Sequence, residues 1–172
     1  MSFAKFVNEK YPTKADMMYL LEYVARGAEF VSGYGISTDS VESVFCEFEY
    51  VKRYWNKAEE GRRQAVHLVL SYEKSELPMD YMRAIAWGVA SLFGENFQIF
   101  YGIHTNTLHI HIHFAINTIS YTDGIMFTAY NNYGYLQYLR EEIATIENNY
   151  EHAKKLRQKM LMASIDREGI HL

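Results

Sequence analysis

The run Leu108-His109-Ile110-His111-Ile112-His113-Phe114 alternates imidazoles with large apolar side chains. A period of two fits an extended strand, on which alternate side chains share a face. One face then carries His109, His111 and His113, and the other carries Leu108, Ile110, Ile112 and Phe114. A packed core has little use for a ladder of imidazoles. A divalent metal ion does, because neutral imidazole is the commonest metal ligand. The competing reading is a row of solvent-facing histidines on an edge strand. Four histidines within ten residues, His104 to His113, outweigh it.

The rest of the chain sets the frame for that strand. Its 172 residues are enough for one domain with a real core, and 49% hydrophobic with 16% aromatic residues argues for a folded chain. A single cysteine, Cys46, excludes an intrachain disulfide framework and a cysteine-rich zinc site. No apolar run approaches the roughly 20 residues of a membrane span. The segment Met1 to Thr13 is mixed and polar without a signal-peptide core, so the expected location is cytoplasmic. A net charge of -4 argues against a protein that coats long duplex DNA with positive charge. It leaves room for local phosphate contacts. Lys52, Arg53, Arg62 and Arg63 are the weak candidates for such contacts, balanced against a solvated helix end.

Periodicity predicts helices over 13–26, 38–57, 79–93 and 131–150, and strands at Phe30–Ser32, Ala65–Tyr72, Phe97–His104, Leu108–Ile119 and Ile125–Phe127. Thr13 can cap the first helix and Gly27 can end it. The strands on either side of Thr107 are expected to pair as a hairpin. A charged helical tail continues from 151 and fades at Gly169, which sets a nuclease-sized domain at 1–150 apart from a tail at 151–172. The predicted class is α+β. It has a central, mainly antiparallel sheet of about five strands with helices packed on it.

A catalytic divalent site commonly takes three protein ligands and keeps a position open. His111 and His113 project together, and His104 comes alongside once the hairpin folds back. His109 stands one pleat from His111, roughly 7 Å by strand rise. It could replace His104 as a ligand or serve as an accessory group. Asn106 and Asn117 are candidates to orient the ligands. His67, on a central strand, could face the same site, but reads better as a satisfied core histidine. A tyrosine hydroxyl becomes a nucleophile toward a phosphodiester when a cation or base helps remove its proton. Tyr19 and Tyr23 on the first helix are candidates among fifteen tyrosines.

The pattern His104-x-Asn106-x-x-His109-x-His111-x-His113-Phe114-x-Ile116-Asn117 resembles the metal motif of the HUH-superfamily relaxases, mobilisation nucleases of the MobA/VirD2 type. The likeness spans about residues 13–150. Asp16 to Val24 resembles the family's tyrosine helix. Ala65 to Tyr72 followed by Glu76 resembles its central strand and the acidic residue after it.

The resemblance implies an HUH-endonuclease-like fold, with helices on one face of the sheet and DNA on the other. It implies Tyr23 as nucleophile, with Tyr19 second, and His104, His111 and His113 as ligands of Mn²⁺, Mg²⁺ or another transition metal. His109, Asn106, Asn117 and Glu76 become accessory residues. The implied activity is a site- and strand-specific endonuclease and transesterase that nicks and rejoins one strand at a transfer origin through a 5′-phosphotyrosine. The implied partners are single-stranded origin DNA and relaxosome accessory proteins, with no membrane and no nucleotide cofactor. Two positions depart from the family pattern: Asn106 replaces an acidic residue, and Arg26-Gly27-Ala28-Glu29 stands where a lysine is common. The alternatives are an HUH replication initiator or single-strand transposase, with its tyrosine among Tyr133, Tyr135 and Tyr138, or an inert DNA-binding accessory protein with a structural metal.

Overall fold

The histidine run becomes the middle strand of a five-stranded antiparallel sheet, here in a computed structural model that describes residues 2–73 and 77–168. In chain order the elements are β1 (Ser2–Phe6), α1 (Lys14–Ala25), β2 (Phe30–Tyr34), α2 (Val41–Tyr54), β3 (Ala65–Tyr72), α3 (Met79–Gly94), β4 (Ile99–His104), β5 (Ile110–Asn117) and α4 (Tyr133–Glu168). The strand order is β1-β3-β5-β4-β2, and every neighbouring pair is antiparallel. The α+β class and the count of five strands agree with the sequence, but the identity of the fifth strand does not. β1 was not anticipated. Ile125–Phe127 makes only one isolated bridge, Ile119 with Met126. The β1 segment alternates Ala4 and Phe6 inward with Phe3 and Lys5 outward, and its short, mixed pattern hides this.

Parity divides the sheet into two faces. On one, Val66, Leu68, Leu70 and Tyr72 of β3, Ile99, Tyr101 and Ile103 of β4, and Ile110, Ile112, Phe114 and Ile116 of β5 form a continuous core. Helix α3 closes it with Met82, Ile85, Val89 and Phe93, and α4 adds Leu139 and Ile143. The other face is half covered. α1 contributes Met17, Leu20, Leu21 and Val24, and α2 contributes Val44 and Phe48, packed over Ala65, Phe100 and Ala115. Helices therefore occupy both faces rather than one, and the histidine face stays open between α1 and β1.

Local chemistry fixes where α1 starts and stops. Thr13 Oγ1 accepts from the Asp16 amide at 3.1 Å while Asp16 Oδ2 accepts from the Thr13 amide at 3.0 Å, a reciprocal capping box. Gly27, at φ +71°, turns the chain out of the helix in the left-handed region. α2 starts at Val41 with Ser40 as its cap, three residues after the expected start. α4 runs unbroken through residue 150, and what changes there is the packing. Tyr150 still touches the core, whereas 151–160 are exposed. Gly169, where the tail was expected to fade, lies outside the described residues. No described helix is long and apolar enough to cross a membrane.

Candidate active site

Three neighbouring strands bring histidines to one patch. In the ladder His104 faces His111, His113 faces Gly102 and Val69, and His67 faces Ala115. The ring centroids of His104 and His113 are 4.8 Å apart, those of His67 and His113 5.2 Å, and those of His111 and His113 6.0 Å. The patch forms the floor of an open cavity of about 800 Å³ between α1, β1 and the sheet.

A glycine sets the distance between α1 and the sheet. Gly102 lies under the end of α1, where a Cβ would collide with the Val24 carbonyl. That carbonyl is one of the last in the helix and has no partner within it. His104 supplies one, donating from Nε2 at 2.9 Å. The contact lowers the end of α1 onto the histidines and carries Tyr23 with it. The Tyr23 ring is 5.1 Å from His113, 5.9 Å from His67 and 6.3 Å from His104, yet the residue is 41% exposed to the cavity. Tyr19 lines the same cavity one turn earlier.

The hydrogen bonds leave ring nitrogens open on the ligand candidates. His104 Nε2 must carry its proton to donate to Val24, so the Nδ1 lone pair of the neutral ring is free. Thr107 gives its single hydroxyl proton to the His109 carbonyl, so His111 Nδ1 is the donor in its 3.3 Å contact with Thr107 and Nε2 is free. His113 Nδ1 lies 3.0 Å from His67 Nε2. Burial, together with the neighbouring histidines, pushes His113 down to about 3, and burial pushes His67 down to about 4. Burial, with His109 and His104, also lowers His111. The His67, His111 and His113 rings are therefore neutral near pH 7, the form a metal requires. Among the described residues no three His, Cys, Asp or Glu side chains stand in a metal-holding arrangement. The donor set nevertheless suits a transition ion: His104, His111 and His113 stand on adjacent strands, and His104 and His111 each have one ring nitrogen held by the protein and the other left open.

Other sequence candidates are placed differently. His109 precedes β5, is exposed and does not line the cavity, although its ring is 6.4 Å from that of His111. Asn106 lines the cavity mouth. Asn117 is fully buried and ties α2 to the sheet, donating from Nδ2 to the Phe48 carbonyl at 3.1 Å and to Gln98 Oε1 at 3.0 Å. It touches no ligand candidate. Glu76 lies outside the described residues.

The basic candidates Lys52, Arg53, Arg62 and Arg63 are all absent from the cavity wall. Lys52 is 1% exposed, with its amine at 2.9 Å from Met17 Sδ and 3.2 Å from Gln64 Oε1, so it is no phosphate contact. Arg63 stacks over Tyr130 and donates to the Glu9 carbonyl, and Arg62 pairs with Glu59. Arg53 is exposed on α2. The cations on the wall are Lys5 and Arg26. Sequence reasoning missed Lys5 together with its strand. His67 is buried and hydrogen-bonded at both ring nitrogens, as a satisfied core histidine should be, and it also lines the cavity.

The relaxase family described as MobA/VirD2-like, nuclease domain, matches residues 19–158. No curated protein matches the chain.

Proposed function

The chain belongs to the MobA/VirD2-like relaxase nuclease domains, and from that premise we propose that it nicks and rejoins one strand of DNA at a transfer origin, with Tyr23 as nucleophile. The observation that carries this reading is the seating of an exposed tyrosine ring against three of the clustered histidines on the floor of an open cavity. A divalent ion held by His104, His111 and His113 would supply positive charge opposite the phosphate oxygens. Imidazole ligands favour Mn²⁺ or another transition ion over the oxygen-seeking Mg²⁺.

The side chains divide the remaining work. Lys5 and Arg26, on the cavity wall, neutralise the strand's phosphates. Tyr23 Oη bonds to phosphorus as the bond from phosphorus to the 3′ oxygen breaks. The phenolic proton leaves to water in the open cavity, and the departing oxygen takes a proton to become a free 3′-OH. The 5′ end stays on Tyr23 as a phosphodiester, so reversal by a 3′-OH reseals the strand without a nucleotide cofactor. His104 couples the end of α1 to the sheet and so keeps the nucleophile in place.

The tyrosines that would suit a replication initiator or transposase sit on α4, across the sheet. Tyr135 packs on Phe6 and Phe127 in the closed core, which disfavours that alternative. A denaturing gel of the protein with Mn²⁺ and single-stranded oligonucleotides tiling the DNA beside its gene tests the proposal. A slow band lost with EDTA and with Tyr23→Phe, but kept with Tyr138→Phe, supports it. No band from any tile, with the ion shown to bind, favours an inert DNA-binding protein.

A further inference from the structure

A second tyrosine reaches the histidine cluster from below. Tyr11 lies in the segment between β1 and α1 and holds φ at +44°, a left-handed backbone that a bulky residue rarely adopts. It is 7% exposed, and its main chain is fixed by the Gln64 amide, which donates to the Tyr11 carbonyl at 2.9 Å. From there the Tyr11 hydroxyl stands 3.1 Å from His67 Nδ1, and His67 Nε2 stands 3.0 Å from His113 Nδ1. The three side chains form one hydrogen-bonded line that ends at a candidate ligand.

Such a line has two polarities. If Tyr11 donates to His67, the His67 proton sits on Nε2 and points at His113 Nδ1, so neutral His113 must carry its proton on Nε2 and presents no lone pair there. If Tyr11 accepts, His67 carries its proton on Nδ1, His113 donates from Nδ1, and His113 Nε2 is open. The second polarity matches His104 and His111, each of which keeps one nitrogen open. It also leaves the Tyr11 proton free to turn toward the Glu9 carboxylate, which shares the cavity wall and whose charge adds to the effect of burial in raising Tyr11 to about 12.

We infer that Tyr11 and His67 are positioning residues that hold His113 with its proton on Nδ1, so that Nε2 is available to a divalent ion. The inference rests on the proposed metal site but not on the strand-transfer chemistry. Groups that orient a metal-binding histidine typically alter affinity by 10–100-fold when removed.

The test pairs nitrogen-15 NMR of the histidine rings in metal-free protein with calorimetric titration of Mn²⁺. Wild-type His113 is expected as the Nδ1–H tautomer. Tyr11→Phe and His67→Phe are expected to mix the tautomers and weaken Mn²⁺ binding by about 10–100-fold. His67→Gln, whose amide oxygen can still accept from His113, is expected to restore most of the affinity. Thermal unfolding in EDTA separates this effect from a loss of fold. A wild-type His113 protonated on Nε2 overturns the inference. So does a folded Tyr11→Phe protein that binds Mn²⁺ as tightly as wild type. Neither readout contains DNA, so failure of the relaxase reading would appear only in the adduct gel.

Discussion

The two faces of β5 come from the same eight residues and do opposite things. Ile110, Ile112, Phe114 and Ile116 are at most 1% exposed and are sealed by α3 and α4. His111, His113, Ala115 and Asn117 look the other way, and cover there is graded. α2 closes over Asn117, α1 reaches the middle, and His111 lies within the cavity. One face supplies the burial that stabilises the sheet. That lets the other hold neutral imidazoles half out of water, where packing alone would not put them. Stability and candidate chemistry are thus separated by a one-residue step along the strand, and substitutions on the two faces should behave differently.

The largest contrast is expected between neighbours. Phe114→Ala empties a fully buried site and should cost about 3–5 kcal/mol in denaturant titration. His111→Ala, three residues away on the open face, should leave stability within about 1 kcal/mol while abolishing metal-dependent activity. Equal losses in the two variants would erase the distinction between the faces.

Acid should act through the histidine face. The buried His67 and His113 titrate below the ordinary histidine value of 6.5, at about 4 and about 3. The unfolded chain therefore binds more protons between these limits, and stability falls as pH drops from 6.5 toward 4. In EDTA the loss by pH 4.5 should be on the order of a few kcal/mol. His113→Gln should flatten part of that slope, and a slope unchanged in that variant would contradict the assignment.

Gly102→Ala probes the join between α1 and the sheet. The added methyl meets backbone, the Val24 carbonyl, which cannot rotate away. A cost of about 1–3 kcal/mol is expected, with Tyr23 displaced from the histidines. The smallest effects concern surface charge. Lys5→Ala or Arg26→Ala should each lower the slope of log K against log salt for single-stranded DNA by about 0.7. Arg62→Ala, on an exposed ion pair away from the cavity, should change neither that slope nor stability by a measurable amount.

Much of this division was legible in the sequence. Alternation in the histidine run gives β5 and its two faces, and the capping residue Thr13 and Gly27 bracket the tyrosine helix. Where the reading fell short, the cause was partnership across the fold. β1 is a short edge strand that pairs in the sheet with β3, so Lys5 at the cavity could not be seen without it. His109 obeys the alternation on paper, but β5 begins one residue later. The roles of His67 and Tyr11 depend on contacts spanning 46 and 56 residues, which no local pattern encodes. Lys52 looked like a surface cation at a helix end and instead fills the seam between α1 and α2.

The central claim is that chemistry belongs to the open face and to Tyr23. Mass spectrometry of the protease-digested covalent adduct tests it most directly. Tyr19 and Tyr23 share one tryptic peptide, bounded by Lys14 and Arg26, and fragmentation distinguishes them. The account predicts the nucleotide mass on Tyr23. A nucleotide on Tyr133, Tyr135 or Tyr138, beyond the closed face, would contradict it.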